Sequence, residues 1–512
     1  MNFLNNESKK AAALLSYAKL FCYTLNSIFL VPILLRWLGE DDYGLYQMIY
    51  SVGHYILILD FGIGTVMMRY ISEYRAKGDD IASSNFSAMI GFIVVALCLC
   101  VIVVGFCVDI NLESIYSNLS QRDYELSHKM FQLMVLQILC TFVINYYTGI
   151  VGAYDKFVFV NFINVLQVVV AFFLTIALLL FGMGTMGVVV ANLIVTLLVM
   201  LATINYTHRT LGLKIKFYYW DKIVVKPVLG LMAAMCLQSI VMYVNTTIDK
   251  TVLGIMCSKR DVAIYSIAAT IITFFNAIPT AISGLFQPTV MRMIVNNAST
   301  LELTDLVVKV GRWQFVLVGA IICGLCLFGM DLISLWVGVD MYDAILIALI
   351  ILPFNMIPLV QTICLSILNG YDKRLYRSVI LVLAAIIKVS VTIVLIKIIG
   401  PWGAPIGTAL AYLIGHCIAL NLYYKNNIKL QVGRMFREIF ARTWFCLLVA
   451  TLVCSPLILW TDYNLLSFLV KGTVFFTVLC LMMWVKGFNT EEKSILAPFF
   501  KKIKIFNLND AI

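Results

Sequence analysis

Runs of about 20 apolar residues, separated by short polar segments, recur along almost the whole chain. Inside hydrocarbon no water satisfies backbone N–H and C=O groups, so each run is expected to cross as an α-helix. Fourteen runs can be drawn, beginning with 14–35 and 43–64 and ending with 376–399, 402–424, 440–460 and 463–485. Hydrophobic residues make up 62% of the 512 residues and charged ones 12%, about half the charged share of a soluble domain. The composition specifies an all-α polytopic membrane protein. The longest outward polar segment, 109–129, is too short for a catalytic ectodomain.

The polar start Met1–Lys10 leads into an apolar stretch from Leu14 to Leu35. That stretch exceeds a signal h-region and lacks a small-residue cleavage pattern, so it is expected to remain as the first span. Fourteen cysteines sit almost wholly within apolar runs, where thiols behave as small hydrophobes, and no disulfide framework is expected. Cys323-Gly-Leu-Cys326 has redox-motif spacing but lies inside such a run.

With the N-terminus inside, most of the 37 Lys and Arg fall on the cytoplasmic side, while Asp and Glu divide evenly. A cation bias without an acidic bias is the positive-inside pattern. An even number of spans returns the C-terminus to the cytoplasm. Basic clusters lie in the middle connection (Arg209, Lys214, Lys216, Lys222, Lys226), after the twelfth span (Lys425, Lys429, Arg434, Arg437, Arg442) and in the tail Phe499–Lys504. The tail mixes aromatic and basic residues as an interfacial helix does. Every cluster abuts a span, so the net charge of +10 points to anionic membrane lipids and not to nucleic acid.

The chain also repeats itself. Gly152-Ala153-Tyr154-Asp155-Lys156 returns as Asn369-Gly370-Tyr371-Asp372-Lys373, and Gly184-Thr185-Met186-Gly187 as Gly400-Pro401-Trp402-Gly403. Leu38-Gly39 followed by Gly44-Leu45-Tyr46 returns as Leu253-Gly254 followed by Ala263-Ile264-Tyr265. The common offset of roughly 215–219 residues marks one long duplication. Each copy holds six spans, an even number, so the copies enter the membrane in the same direction as parallel repeats. The expected division is an N-lobe at 1–207, a cytoplasmic linker at 208–226, a C-lobe at 227–425, and two extra helices with a basic tail at 426–512. Two such bundles suggest a transporter with its site between them.

Enzyme signatures are nearly absent. Gly182-Met-Gly184-Thr-Met-Gly187 matches a dinucleotide fingerprint literally, but it joins two apolar helices and reads as a tight turn. No Walker A string or paired metal ligands occur, so no cofactor, metal or catalytic residue is expected.

Ionisable groups within spans cost roughly 2.5–3.5 kcal/mol for a central Lys and so require a reason. Lys19, Lys388 and Asp60 are the cases. Lys388 lies about 18 Å into its span, with Thr392 one turn further. It either meets an anionic headgroup in a central cavity or pairs with a carboxylate such as Asp60. Lys19 is shallower and shares a helix face with Ser16, Tyr23 and Asn26; snorkelling and cavity lining both fit. Gln238, Asn245 and Asp249 form a narrow stripe on the seventh span, suited to cavity lining or interhelical hydrogen bonding. Arg36 and Lys250 form either an outer cationic ring or exposed rim charges. Asn161, Asn164 and Gln167 read as interhelical contacts. His54 and His416 lie mid-span and, with Asp60, are candidates for ion coupling; packing is the alternative for both histidines.

Three segments carry a family resemblance: Leu38-Gly39-Glu40-Asp41-Asp42-Tyr43-Gly44-Leu45-Tyr46, Asp60-Phe61-Gly62-Ile63-Gly64 leading to Arg69-Tyr-Ile-Ser-Glu73, and Asn369–Lys373. They resemble bacterial polysaccharide-biosynthesis flippases, the Wzx-type members of the multidrug/oligosaccharidyl-lipid/polysaccharide (MOP) exporter superfamily. The resemblance runs through most of the chain and implies a MATE-like arrangement in the bacterial cytoplasmic membrane. It further implies that an undecaprenyl-diphosphate-linked oligosaccharide moves from the cytoplasmic to the outer leaflet by alternating access. The product would enter O-antigen, capsule or exopolysaccharide assembly, with the polysaccharide polymerase machinery as a further partner. Related flippases hold the diphosphate with basic cavity residues; the candidates here by position are Lys19, Arg36, Lys250 and Lys388. A cation-coupled drug exporter would instead favour a cavity of carboxylates and aromatics. A membrane glycosyl polymerase would need a large outer loop, which the chain lacks.

Overall fold

The computed structural model describes residues 2–212, 215–371, 373–460 and 462–494, without the side chains of 2–10, 12, 13, 374 and 375. Its regular structure is helical, with no strand among the described residues. Twelve helical stretches there are long and apolar enough to cross a membrane. The fourteen expected segments map onto these twelve stretches, two of which each take in two segments. The stretch Leu14–Ala76, 63 residues long, contains both 14–35 and 43–64, and Tyr376–Ile428, 53 residues long, contains both 376–399 and 402–424. Within each stretch a glycine with positive φ divides the two segments. The breaks are local: Gly39 at φ 78 and ψ 173, and Gly400 at φ 66. The second segment also runs beyond residue 64, through a 3-10 turn at Leu57–Asp60 into a helix ending at Ala76. That extension buries Ile63, Val66, Met67 and Ile71 on one face while most of its other positions are polar, so an apolar window stops short of it. The tail Phe499–Lys504, Lys214 and Asp372 lie outside the described residues.

The chain forms two compact units, residues 1–267 with 392–404 and residues 268–391 with 405–512. These do not coincide with the repeat-based lobes 1–207 and 227–425, a division that remains a proposal.

The first unit holds α1 (Asn2–Ile56), α2 (Ile63–Ala76), α3 (Asp80–Ile110), α4 (Gln121–Ala153), α5 (Phe157–Leu180), α6 (Gly184–Asn205), α7 (Lys222–Met256) and the start of α8 (Lys259–Val295). Asp79 caps α3 by accepting from the Ala82 N–H, and Ser120 and Asp123 form a capping box on α4, satisfying N-terminal donors that no carbonyl can reach. The α2 helix packs on α4, α4 on α6, and α1 on both α5 and α7. Asn161 of α5 donates to Ser16 of α1 at 2.8 Å, the interhelical contact expected of that residue. The glycine-rich string at 182–187 forms the turn between α5 and α6 together with the first turn of α6.

The second unit holds most of α8 and α9 (Thr300–Trp336), α10 (Asp343–Val360), α11 (Thr362–Gly370), most of α12 (Arg374–Ile399), α13 (Gly403–Ala411), α14 (Val432–Phe440), α15 (Thr443–Cys454) and α16 (Leu465–Met482). Its centre is α9, which packs against α10, α14, α15 and α16. Short α14 buries Met435 and Ile439, four apart, and carries Arg434, Arg437 and Glu438 at its other positions; two members of the basic cluster after the twelfth segment thus sit on an amphipathic helix. Cys323 and Cys326 lie on α9 as free thiols.

Two buried ion pairs fasten the C-terminal part to α9. Lys471 Nζ stands 3.0 Å from both Asp331 carboxylate oxygens. Arg312 meets Glu492 through Nε at 2.6 Å and Nη2 at 3.0 Å, and donates as well to the Glu438 and Gly487 carbonyls. Roughly 28 Å of helix separates Arg312 from Asp331, close to the thickness of a bilayer's hydrocarbon core. The pairs therefore pin the start of the last segment, and the chain just beyond its end, to two well-separated points of α9. Lys471 corrects the sequence reading, which placed only Lys19 and Lys388 among intramembrane lysines. It sits near the start of segment 463–485, where a lysine looks peripheral, yet it is 1% exposed.

Candidate functional site

Polar side chains in a membrane helix must face protein or water. In the first unit such a band runs between α1 and α7. Gln47, Ser51 and Tyr55 recur every four residues and so share one face of α1; Tyr243, Thr247 and Thr251 do the same on α7. Lys250 Nζ donates to Gln47 Oε1 at 2.9 Å, and Gln47 Nε2 donates onward to the Tyr43 hydroxyl at 3.1 Å. The Ser51 and Tyr55 hydroxyls meet Thr251 Oγ1 at 3.0 and 3.1 Å. Beside them the Tyr265 hydroxyl donates to the buried Asp249 carboxylate at 2.6 Å. The His54 ring lies between Tyr50, with centroids 4.0 Å apart, and Tyr243, at 5.8 Å.

Lys250 is the informative member. An ammonium has three donors, and among the described residues this one spends one of them on a neutral amide. It is half-buried and has no carboxylate partner there. The band thus presents a cation whose charge is solvated but not cancelled, flanked by hydroxyls and aromatic rings.

Asp60 occupies a second position in the same unit, at the end of the 3-10 turn. It accepts from Asn145 Nδ2 at 3.2 Å and lines a cavity of about 340 Å³ with Gly62, Gly64, Asn145, Gly149 and Phe157. A carboxylate held by an amide, with open space beside it, can receive a cation or a proton.

The other sequence candidates are dispersed. On α1, Lys19 is half-buried, Arg36 is exposed, and Asn26 Oδ1 is buried without a hydrogen-bond partner. On α7, Gln238 and Asn245 are exposed while Asp249 is buried. The structure thus brings Lys250, Asp249 and His54 into one band and leaves Asp60 in its own cavity. In the second unit Lys388 is 2% exposed, one of the largest fully enclosed side chains. His416 lies in a π-helical turn, Tyr412–Leu420, with its ring 5.4 Å from Tyr412 and its carbonyl accepting from Asn421 Nδ2 at 3.2 Å. Asn421 in turn accepts from Gln361 at 2.8 Å. Such π-turns often mark functional positions. No His, Cys, Asp or Glu cluster suited to a metal occurs among the described residues.

Gln47, Ser51, Tyr55 and Thr251 were not singled out from sequence. Their four-residue spacing was available, but hydroxyls and amides beside tyrosines read as ordinary packing until the facing helix is known.

A family model described as polysaccharide biosynthesis protein matches residues 8–294, more than half of the chain. No curated protein sequence matches it. Among solved structures, the lipid II flippase MurJ in an inward closed conformation aligns with a TM-score of 0.69 at 15% identity, covering 96% of this chain and 99% of that one. An inward-facing multidrug resistance MATE family transporter of the MOP superfamily aligns with a TM-score of 0.65 at 13% identity, covering 82% and 96%. The Vibrio cholerae MATE transporter VcmN aligns with a TM-score of 0.55 at 13% identity, covering 84% and 99%. At these identities the likeness is one of fold: the chain is built as these membrane flippases and transporters are. By the match to its family model, the chain belongs to the polysaccharide biosynthesis protein family.

Proposed function

We propose that the chain flips an undecaprenyl-diphosphate-linked oligosaccharide from the cytoplasmic to the outer leaflet of the bacterial cytoplasmic membrane, by alternating access between its N- and C-lobes. The observation that carries this reading is Lys250, an ammonium held by Gln47 without a carboxylate partner among the described residues. An interior cation so placed attracts an anionic headgroup and repels a cationic drug. Lys388 serves as the second diphosphate contact, with Lys19 and Arg36 along the path. Asn26, Gln238, Asn245 and Asp249 supply donors and acceptors for sugar hydroxyls. Membership in a polysaccharide biosynthesis family supports a glycan cargo, and both termini are assigned to the cytoplasm. Moving a diphosphate outward, down an inside-negative potential, releases about 2.3 kcal/mol per charge per 100 mV. Asp60, His54 and His416 are the positions at which an ion gradient would couple.

A second reading, a cation-coupled multidrug exporter, rests on the Asp60 cavity and the fold shared with MATE transporters. Deleting the gene separates the two. Lipid-linked glycan is expected to accumulate on the cytoplasmic leaflet; increased dye sensitivity without that accumulation would sink the flippase reading. Lys250→Gln is expected to lower export about 10- to 100-fold at unchanged abundance, the scale of a lost charged hydrogen bond. Lys388→Ala should abolish export at unchanged abundance. Loss of folded protein in that variant would assign Lys388 to a structural pair instead.

A further inference from the structure

We propose that a cavity in the second unit, bordered by α9, α14, α15 and the segment after α16, binds the phosphate headgroup of an anionic phospholipid. This does not rest on the transport reading. The cavity encloses about 1340 Å³ and is lined by six cations and four carboxylates. Three of the carboxylates are already committed: Glu492 to buried Arg312, and Asp305 and Glu438 to Arg434, at 2.8 and 2.7 Å. Lys309, Arg442, Lys486 and Lys493 remain without a carboxylate partner among the described residues. Glu491 is the one acid left to face them.

Two features point to a lipid as the source of the missing anion. The cavity lies where the candidate span Thr300–Trp336 begins and the span Leu465–Gly487 ends, which is the boundary between hydrocarbon and water. Its wall is also amphipathic. Lys486 Nζ stands 6.0 Å from the Phe445 ring centre and Lys493 Nζ 5.8 Å from that of Trp484, while the Trp313 and Phe488 rings pack 5.2 Å apart. Aromatic residues gather at headgroup depth, and lysine stems lie along apolar surface with their ammonium groups at the phosphates. The Arg312–Glu492 pair holds the segment that carries Lys486 and Lys493 against α9, which gives the site a fixed wall. A lipid phosphate set among these cations would leave its glycerol and acyl chains on the exposed faces of Phe445 and Val485.

The test uses the delipidated full-length chain in detergent, titrated with dioleoylphosphatidylglycerol, dioleoylphosphatidylcholine or sodium phosphate and read by native mass spectrometry. Phosphatidylglycerol adducts are expected to exceed phosphatidylcholine adducts. The variant K309Q/R442Q/K486Q should lose that preference, by about fivefold for each cation removed. A second variant, R209Q/K222Q/K226Q, removes as many cations from another basic cluster and should keep the preference. Equal binding of the two lipids, or equal loss in both variants, would overturn the proposal. So would saturation by inorganic phosphate that abolishes the lipid adducts, since it would assign the site to a soluble anion.

Discussion

Replacing Lys471 with methionine is expected to destabilise the protein by about 3–5 kcal/mol, the scale of breaking a buried ion pair from one side. The Lys471 and Asp331 side chains are 1% and 7% exposed, so neither is screened by water. The lysine also donates to the Trp460 carbonyl, which holds the connection between α15 and α16. Methionine fills the volume but leaves a buried carboxylate and a half-buried carbonyl without their donor. Melting of the detergent-solubilised protein, followed by its monodisperse fraction after heating, should show the loss. Adding Asp331→Leu should restore most of it, because two apolar residues remove the charge that the single substitution orphans. A single variant that melts with the wild type would show that the pair does not hold α16 to α9.

Lys471 also marks where legibility ends. Each crossing is a contiguous apolar run, so the all-α membrane fold could be read locally. A pair such as Lys471 and Asp331 joins residues 140 apart, and nothing in either neighbourhood names the other. The same holds at the candidate site. Lys250 was visible as a cation near the end of a span, with rim exposure as one reading; its hydrogen bond to Gln47, 203 residues away, was not visible. Asp249 and His54 stand out as polar residues in or beside apolar runs, but nothing in sequence ties them to their tyrosine neighbours, Tyr265 and Tyr50 with Tyr243. Segment boundaries depend on something else: composition marks them at polar residues, whereas the helix breaks where the backbone turns, as at Gly39.

The repeat anchors yield the second large effect. Gly44 and Gly254, each in one copy of the Leu-Gly anchor, lie at close approaches between α1 and the α7–α8 region of the first unit. A methyl group on Gly44 would overlap the Lys259 carbonyl oxygen and stand 2.7 Å from its carbon, whereas one on Gly254 would meet the Tyr116 ring at 2.9 Å and Met48 at 3.0 Å. Met48 is a flexible side chain; the Lys259 carbonyl belongs to the backbone and cannot rotate away. Lys259 is further tethered through Nζ to Asp123 at 2.9 Å. Gly44→Ala should therefore cost at least the upper end of the about 1–3 kcal/mol typical of overpacking, and Gly254→Ala the lower end. Gly39→Ala separates clash from backbone strain, because nothing lies within 4 Å of its added methyl while its φ is +78°. That conformation alone costs a non-glycine residue about 1–3 kcal/mol. The expected order of thermal stability, lowest first, is G44A, then G39A, then G254A. If G44A melts no lower than G254A, the α8 end is free to move away from α1, and the two anchors do not clamp this part of the fold.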